Sequence, residues 1–412
     1  MLERIREHSG ALFLLVATTV ANVLAYGYQV VQARLLKPEQ YAALTALFGI
    51  LILESVSSQV IQSATATLAA RYRAHENDAA LHAFVRRWST RIGGGAAALG
   101  FVVFLASPLL AGALSLPAIS VALLGLALFL ALSFTFAIGL LQGLAHFVWM
   151  GSALIVQAGS RLVIGVGFVL LGLGVDGAFS GATAAIAVSL VVAAIPLMAL
   201  FRAARGAKAV ELGGAEARFF GLAAVVLLAY AALTNIDAVL ARSLLGPDQA
   251  GAYAGAITMG KIVLFAPIAV GFLLLERTAR AHAKHEDTDR MLFLALGFVL
   301  ATSGLVAIAY IVAPELLVPI VVGSQYPETA KIVGIYGVAA LSNALLNLWI
   351  AYFIGRGEMR IGLLLALAVL IELALLLTTV SDAVSMARVV LIVALATQSA
   401  AIATFAFLRV RR

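Results

Sequence analysis

Ala33-Arg34-Leu35-Leu36-Lys37-Pro38-Glu39-Gln40 returns, one residue longer, as Ala241-Arg242-Ser243-Leu244-Leu245-Gly246-Pro247-Asp248-Gln249. Each copy follows an apolar stretch long enough to cross a bilayer, so the chain reads as two copies of one membrane unit. A shift of about 208 residues carries Asn22, Tyr26 and Gln29 onto Tyr230, Thr234 and Asp237. Each trio is spaced i, i+4, i+7 and occupies one helical face. Many transporters are duplicated helical bundles with polar stripes in equivalent helices, and their substrate site lies where the repeats meet.

The composition agrees with a membrane protein. Apolar residues make up 63% of the chain and charged residues 11%, and the mean hydropathy is +1.07; soluble proteins carry about 25% charged residues. The stretches outside the apolar runs are too short for a soluble domain. There is no cysteine, which excludes disulfides, thiolate metal sites and cysteine nucleophiles. MLERIREHSG and the apolar run behind it read as a first membrane helix rather than a signal peptide, the run being too long for an h-region.

Six runs of spanning length lie between Gly10 and Phe201, and six more between Phe219 and Leu408. The expected fold is therefore all-α and polytopic, with twelve transmembrane helices in two six-helix bundles, 1–207 and 208–412. Of the 27 Lys and Arg residues, 20 fall in the segments on the side of the N-terminus, 3 fall in the opposite loops and the other four fall inside the runs. This asymmetry places both termini in the cytoplasm. It also accounts for the net charge of +7 as a topology signal, so no nucleic-acid partner is expected.

A charge at mid-membrane depth costs roughly 3 kcal/mol on insertion scales, so it needs a partner, water or a ligand. Helix rise places Glu54, Arg161, Lys261 and Glu372 near the bilayer centre, and Asp237 close to the outer end of its helix, where hydration is cheap. Arg161 and Lys261 are candidates for a cationic floor facing a phosphate or pyrophosphate; the alternative is that each pairs with a carboxylate to join two helices. Glu54 shares a face with Ser58 and Gln62 in the polar run ESVSSQVIQSATAT, which reads as cavity lining. Glu372 stands among Leu, Ile and Ala and must either hold a proton or meet a cation. Arg34 and Arg242 either fix the repeated turn or contact substrate at the outer mouth. Asn343 and Asn347, on one face with Tyr336, either bond a sugar or join helices. Asn22, Tyr26, Gln29 and Asn235 complete the candidate lining. Pro196 should kink its helix.

Two patterns are decoys. Gly255 to Ile262 resembles a phosphate-binding loop but has Ile262 where Ser or Thr is required, inside a membrane run. Asp287-Thr288-Asp289 resembles a glycosyltransferase motif but lies in a loop of mixed charges that reads as solvated. No catalytic residues, metal site or cofactor are expected.

ANVLAYGYQVVQARLLKPEQYAALTAL and ATLAARYRA in the first copy, and LTNIDAVLARSLLGPDQAGAYAGAITMGKIVLFAPIA in the second, resemble the polysaccharide flippase branch of the multidrug/oligosaccharidyl-lipid/polysaccharide exporter superfamily. Asn-Ile-Asp, Pro-Asp-x-Ala-Gly-x-Tyr and Gly-Lys-Ile carry the resemblance most clearly. It implies two bundles around a central cavity, alternating access, and translocation of a polyprenyl-pyrophosphate-linked oligosaccharide for surface polysaccharide biosynthesis in a bacterial cytoplasmic (inner) membrane. The implied partners are that lipid-linked glycan, a coupling proton or sodium ion, membrane lipid and the enzymes of glycan assembly. Where the family often has Pro-Arg or Pro-Lys after helix 8, this chain has Glu276-Arg277. The runner-up is an ion-coupled drug or metabolite antiporter of the same superfamily, which would need an acidic cavity. An enzyme is disfavoured, because the longest outer loop, Ala313 to Tyr326, is too short for a catalytic region.

Overall fold

The computed structural model describes residues 2–205, 225–283, 289–356, 358 and 360–410. The expected repeat boundary at 207/208 lies outside the described residues, as do Asp287 and Thr288 of the acidic motif. Among the described residues the protein is all-helical: α1 (Leu2–Leu35), α2 (Pro38–Ala74), α3 (Asp78–Leu114), α4 (Ala118–Gly143), α5 (Phe147–Phe168), α6 (Gly174–Ala194), α7 (Met198–Ala204), α8 (Ile236–Leu244), α9 (Pro247–Ala283), α10 (Asp289–Val312), α11 (Pro314–Val321), α12 (Thr329–Gly355), α13 (Ile361–Thr379) and α14 (Ala383–Val410). Eight described helices are long and apolar enough to cross a membrane. The polytopic reading stands on these; the full set of twelve crossings goes beyond them.

The repeated segment does the same work in both places. Pro38 and Pro247 each open a long helix, where a fixed φ and a missing N–H cost nothing. Other ends are equally local. Asn77 caps α3 by accepting the Ala80 N–H at 3.0 Å. Pro196 sits in a short 3-10 turn, Ile195–Leu197, that interrupts the run from α6 to α7. A π-helical turn, Val169–Leu173, joins α5 to α6, and Gly172 lies within it at φ 87°, a conformation that favours glycine.

The chain divides into two compact units: Met1–Leu36 with Glu54–Phe220, and Lys37–Leu53 with Gly221–Arg412. α2 is one helix, yet its first turns group with the second unit and the rest with the first. In the first unit α1 packs on α5, α5 on α6, and α4 on α3 and α6. Phe84, Leu140, Leu141, Ile186 and Leu197 form part of its core. In the second unit α12 is central and is flanked by α9, α10 and α14. The opening of α2 is engulfed there: Tyr41 to Phe48 are all buried, and the Tyr41 hydroxyl shares a hydrogen bond with Thr258 Oγ1. A helix that is apolar all round belongs inside a protein.

Candidate functional site

In the second unit the helix at 225–233 does not run straight into α8. It breaks in a turn at Thr234 and Asn235, and Asn235 has φ −142° and ψ −5°. The side chains at the break bond the carbonyls of the preceding turn: Tyr230 O keeps the Thr234 N–H, whereas Ala231 O has lost the Asn235 N–H, which turns to Ala232 O. Thr234 Oγ1 donates to Tyr230 O at 3.0 Å, and Asn235 Nδ2 donates to Ala231 O at 3.0 Å. Discontinuous helices of this kind are where membrane transporters place polar sites.

Asp237 follows in the first turn of α8. It is 1% exposed, not hydrated as its position near a helix end suggested. The reason is aromatic cover. Tyr253 on α9 donates its hydroxyl to Asp237 Oδ2 at 2.8 Å, and Tyr336 on α12 meets the Tyr253 ring edge-on, with centroids 5.6 Å apart. Gly260 makes room for Tyr336: a Cβ there would lie 2.6 Å from Tyr336 Cε1. The glycine of the Gly-Lys-Ile signature is thus a seat for this ring, and Lys261, half-buried, comes next on α9.

Glu372 on α13 is also 1% exposed and lies within electrostatic reach of Asp237, Tyr253 and Tyr336. Both Glu372 carboxylate oxygens and Asp237 Oδ1 are buried without a hydrogen-bond partner among the described residues. Among the described residues the charged group within electrostatic reach of Glu372 is another acid, Asp237, rather than the cation of the helix-joining alternative. Buried carboxyl oxygens left open in this way suit a proton or a small cation. Asn343 and Asn347 lie elsewhere in this unit: the Tyr230 hydroxyl donates to Asn343 O at 2.9 Å and is hydrogen-bonded to the side chain of Asn347.

In the first unit Arg161 is half-buried in mid-α5, in electrostatic range of Tyr28. Tyr28 is fixed by donating to Ala178 O at 2.9 Å on α6. Its ring fills the space over Gly165, where a Cβ would come within 2.7 Å of Tyr28 Cε2. α6 in turn lies on that glycine, because Gly181 touches the Gly165 backbone. Glu54 and Gln62 are half-buried on α2. Ser58 Oγ donates to Glu54 Oε1 at 2.5 Å, Thr135 Oγ1 donates to Ser58 Oγ at 2.9 Å, and Gln62 Nε2 donates to Gln142 Oε1 at 2.9 Å. On α1, Tyr26 and Gln29 are half-buried, whereas Asn22 and Arg34 are exposed; Arg242 on α8 is half-buried.

Groups at the helix ends complete the electrostatics. Burial, and then the charge of Arg73, hold the His146 imidazole below its ordinary range. Asp289, read from sequence as part of a solvated loop, is instead buried. It accepts the Tyr352 hydroxyl at 2.6 Å and pairs with Arg356 and Arg409 at 3.9 and 3.6 Å. Lys331 pairs with Glu328 at 2.8 Å, both exposed.

Known proteins agree with this architecture. An inward-facing multidrug-resistance MATE transporter of the MOP superfamily superposes with a TM-score of 0.72 at 14% identity, covering 97% of this chain and 99% of that one. A point mutant of the Vibrio cholerae MATE transporter VcmN gives 0.66 at 18% identity and covers 98% of both chains. A MOP superfamily transporter from Pyrococcus furiosus, described as having a binding pocket of reverse polarity, gives 0.58 at 14% identity, covering 98% of this chain and 96% of that one. Likeness at these identities establishes the MATE fold. No curated protein matches the chain. The profile of the family described as Polysaccharide biosynthesis protein matches residues 8–271, more than half the chain. This polytopic, all-α membrane protein therefore belongs to the Polysaccharide biosynthesis protein family.

Proposed function

We propose that the protein is a flippase that moves a polyprenyl-pyrophosphate-linked oligosaccharide across a bacterial cytoplasmic membrane by alternating access. In this reading twelve crossings form two six-helix bundles that correspond to the repeats 1–207 and 208–412, with both termini cytoplasmic. The observation that carries it is Arg161: a guanidinium in the middle of an apolar helix, supported by the fixed Tyr28, in a chain of the polysaccharide biosynthesis family. An arginine at that depth fits an anion such as a pyrophosphate, whose oxygens match its donors. Lys261, half-buried on α9, is the second candidate cation in this reading.

The Asp237–Glu372 pair serves as the coupling site in this scheme. A proton or sodium ion neutralises it in one conformation and leaves in the other, so an ion gradient sets the direction. The same acids favour a second reading, an antiporter that exchanges the ion for an organic cation. Replacing Arg161 or Lys261 by Ala tests between them. The flippase reading expects loss of surface glycan with normal membrane insertion in each variant. Normal surface glycan in both would overturn it, and ion-driven uptake of an organic cation by the unaltered protein would favour the antiporter.

A further inference from the structure

α2 carries two adjoining polar stripes below its buried opening. Ser55, Gln59, Gln62 and Ser63 occupy one face at i, i+4, i+7 and i+8, and Glu54, Ser58 and Gln62 lie alongside at i, i+4 and i+8. Gln59 and Ser63 are exposed, and Ser55 and Gln62 are half-buried. The flippase reading places α2 in the membrane, where exposed amides are expensive against lipid, so in that reading this face meets water or a polar ligand. α4 supplies the other edge with Thr135 and Gln142, one helical face apart at i and i+7.

The two helices are held close by glycine. A Cβ on Gly139 would lie 2.8 Å from Thr65 Cβ and 2.9 Å from Gln62 O, and one on Gly143 would lie 2.8 Å from Ala69 Cβ. This contact brings Gln142 against Gln62. Their single mutual bond, from Gln62 Nε2 to Gln142 Oε1, uses only part of what two amides offer. Among the described residues Gln62 keeps a carbonyl oxygen and one N–H, and Gln142 keeps two N–H groups and a lone pair. One turn away, the Thr135–Ser58–Glu54 chain fixes an acceptor in line with them.

We infer that the paired amides Gln62 and Gln142, extended by Gln59 along α2 and backed by Ser58 and Thr135, form the subsite that recognises the hydroxyls of the sugar headgroup. The inference rests on the flippase reading and assigns it a division of labour. Neighbouring neutral donors and acceptors match vicinal hydroxyls, which a cation does not distinguish from one another. Arg161, on another helix of the same unit, takes the charged part of the substrate. Specificity for the glycan then resides in α2 and α4, and a site built to bond a hydroxyl rejects an analogue that lacks it.

The experiment compares binding of two probes to the full-length protein in detergent: lipid-linked glycan extracted from the source membrane, and bare polyprenyl pyrophosphate. The proteins are the unaltered chain, Gln142→Leu, and Gln62→Leu with Gln142→Leu; a melting curve for each confirms folding. The expected result is that the double variant binds the glycan-bearing lipid about tenfold more weakly, as loss of a few neutral hydrogen bonds implies, while its affinity for the bare lipid is unchanged. Equal affinity of variant and unaltered protein for both probes would overturn the subsite, and so would a parallel loss for both. Failure of the flippase reading has a different signature, namely that the unaltered protein binds neither lipid, and it takes the subsite with it.

Discussion

Glu372→Leu should make the protein more stable while removing the carboxyl that the proposed coupling scheme requires. Glu372 is 1% exposed, both of its carboxylate oxygens lack a hydrogen-bond partner among the described residues, and its charged neighbour is Asp237. A buried polar group without partners costs about 1–3 kcal/mol, and insertion scales put an acid at mid-membrane depth near 3 kcal/mol. Leucine has similar bulk and suits the surrounding Leu, Ile and Ala residues of α13, so the substitution should recover about 2–3 kcal/mol. With an unfolding entropy of roughly 2 cal/mol/K per residue, a cooperative melt of all 412 residues would shift upward by about 2–4 °C. Intrinsic tryptophan fluorescence during a thermal ramp reads this directly, since the chain has three Trp residues. Glu372→Gln is the control: its amide still lacks partners, so its midpoint should stay near that of the unaltered protein. In the same preparations, ion-driven transport should be lost in Glu372→Leu, an exchange of function for stability. A lower midpoint for Glu372→Leu would refute the reasoning, because it would mean the carboxyl is held by bonds that stabilise the fold.

Other consequences follow from single contacts. Gly181→Ala would press a methyl into the Gly165 backbone and displace Tyr28 from Ala178; overpacking of this kind costs about 1–3 kcal/mol, visible as a lower melting midpoint together with reduced export. Asp382 caps α14, accepting the Ser385 N–H at 2.6 Å while Ser385 Oγ accepts the Asp382 N–H at 3.0 Å. The Ser385 N–H, and then its hydroxyl, hold the Asp382 carboxyl below the usual carboxylate range. Its contribution is therefore present above the ordinary carboxylate pKa and is lost as pH falls through the lowered native value. Asp382→Ala should cost about 1 kcal/mol at neutral pH, and the difference in midpoint from the unaltered protein should shrink on acidification; a difference that does not change with pH would contradict the capping account.

Features set by neighbouring residues are legible in the sequence. The face carrying Glu54, Ser58 and Gln62 follows from spacing alone, while Pro38 and Pro247 extend α2 and α9 a turn ahead of the apolar runs that begin at Tyr41 and Ala250. What meets that face was not legible: Thr135 and Gln142 lie on another helix, and nothing in the spacing along α2 refers to them. Asp237 shows the same limit. Counting residues put it near a helix end and therefore near water, but depth along a helix says nothing about the Tyr253 and Tyr336 rings that cover it. The break at Thr234 and Asn235 is likewise hidden in an apolar run that reads as continuous helix. A clue is present in Asn235, a weak helix former two residues before an acid. Asp289 departs from its solvated reading for the same reason: a charge-rich neighbourhood usually means solvent, whereas Arg356 and Arg409 reach it from the ends of α12 and α14.

In the proposed mechanism Arg161 and Lys261 carry an anionic lipid-linked glycan. The most direct measurement is translocation in proteoliposomes, with fluorescent polyprenyl-pyrophosphate glycan in the bilayer and an imposed proton or sodium gradient. The unaltered protein should move the probe between leaflets faster than protein-free vesicles do, and Arg161→Ala and Lys261→Ala should fall to the protein-free rate while reconstituting equally well. Unchanged translocation in both variants would contradict the account.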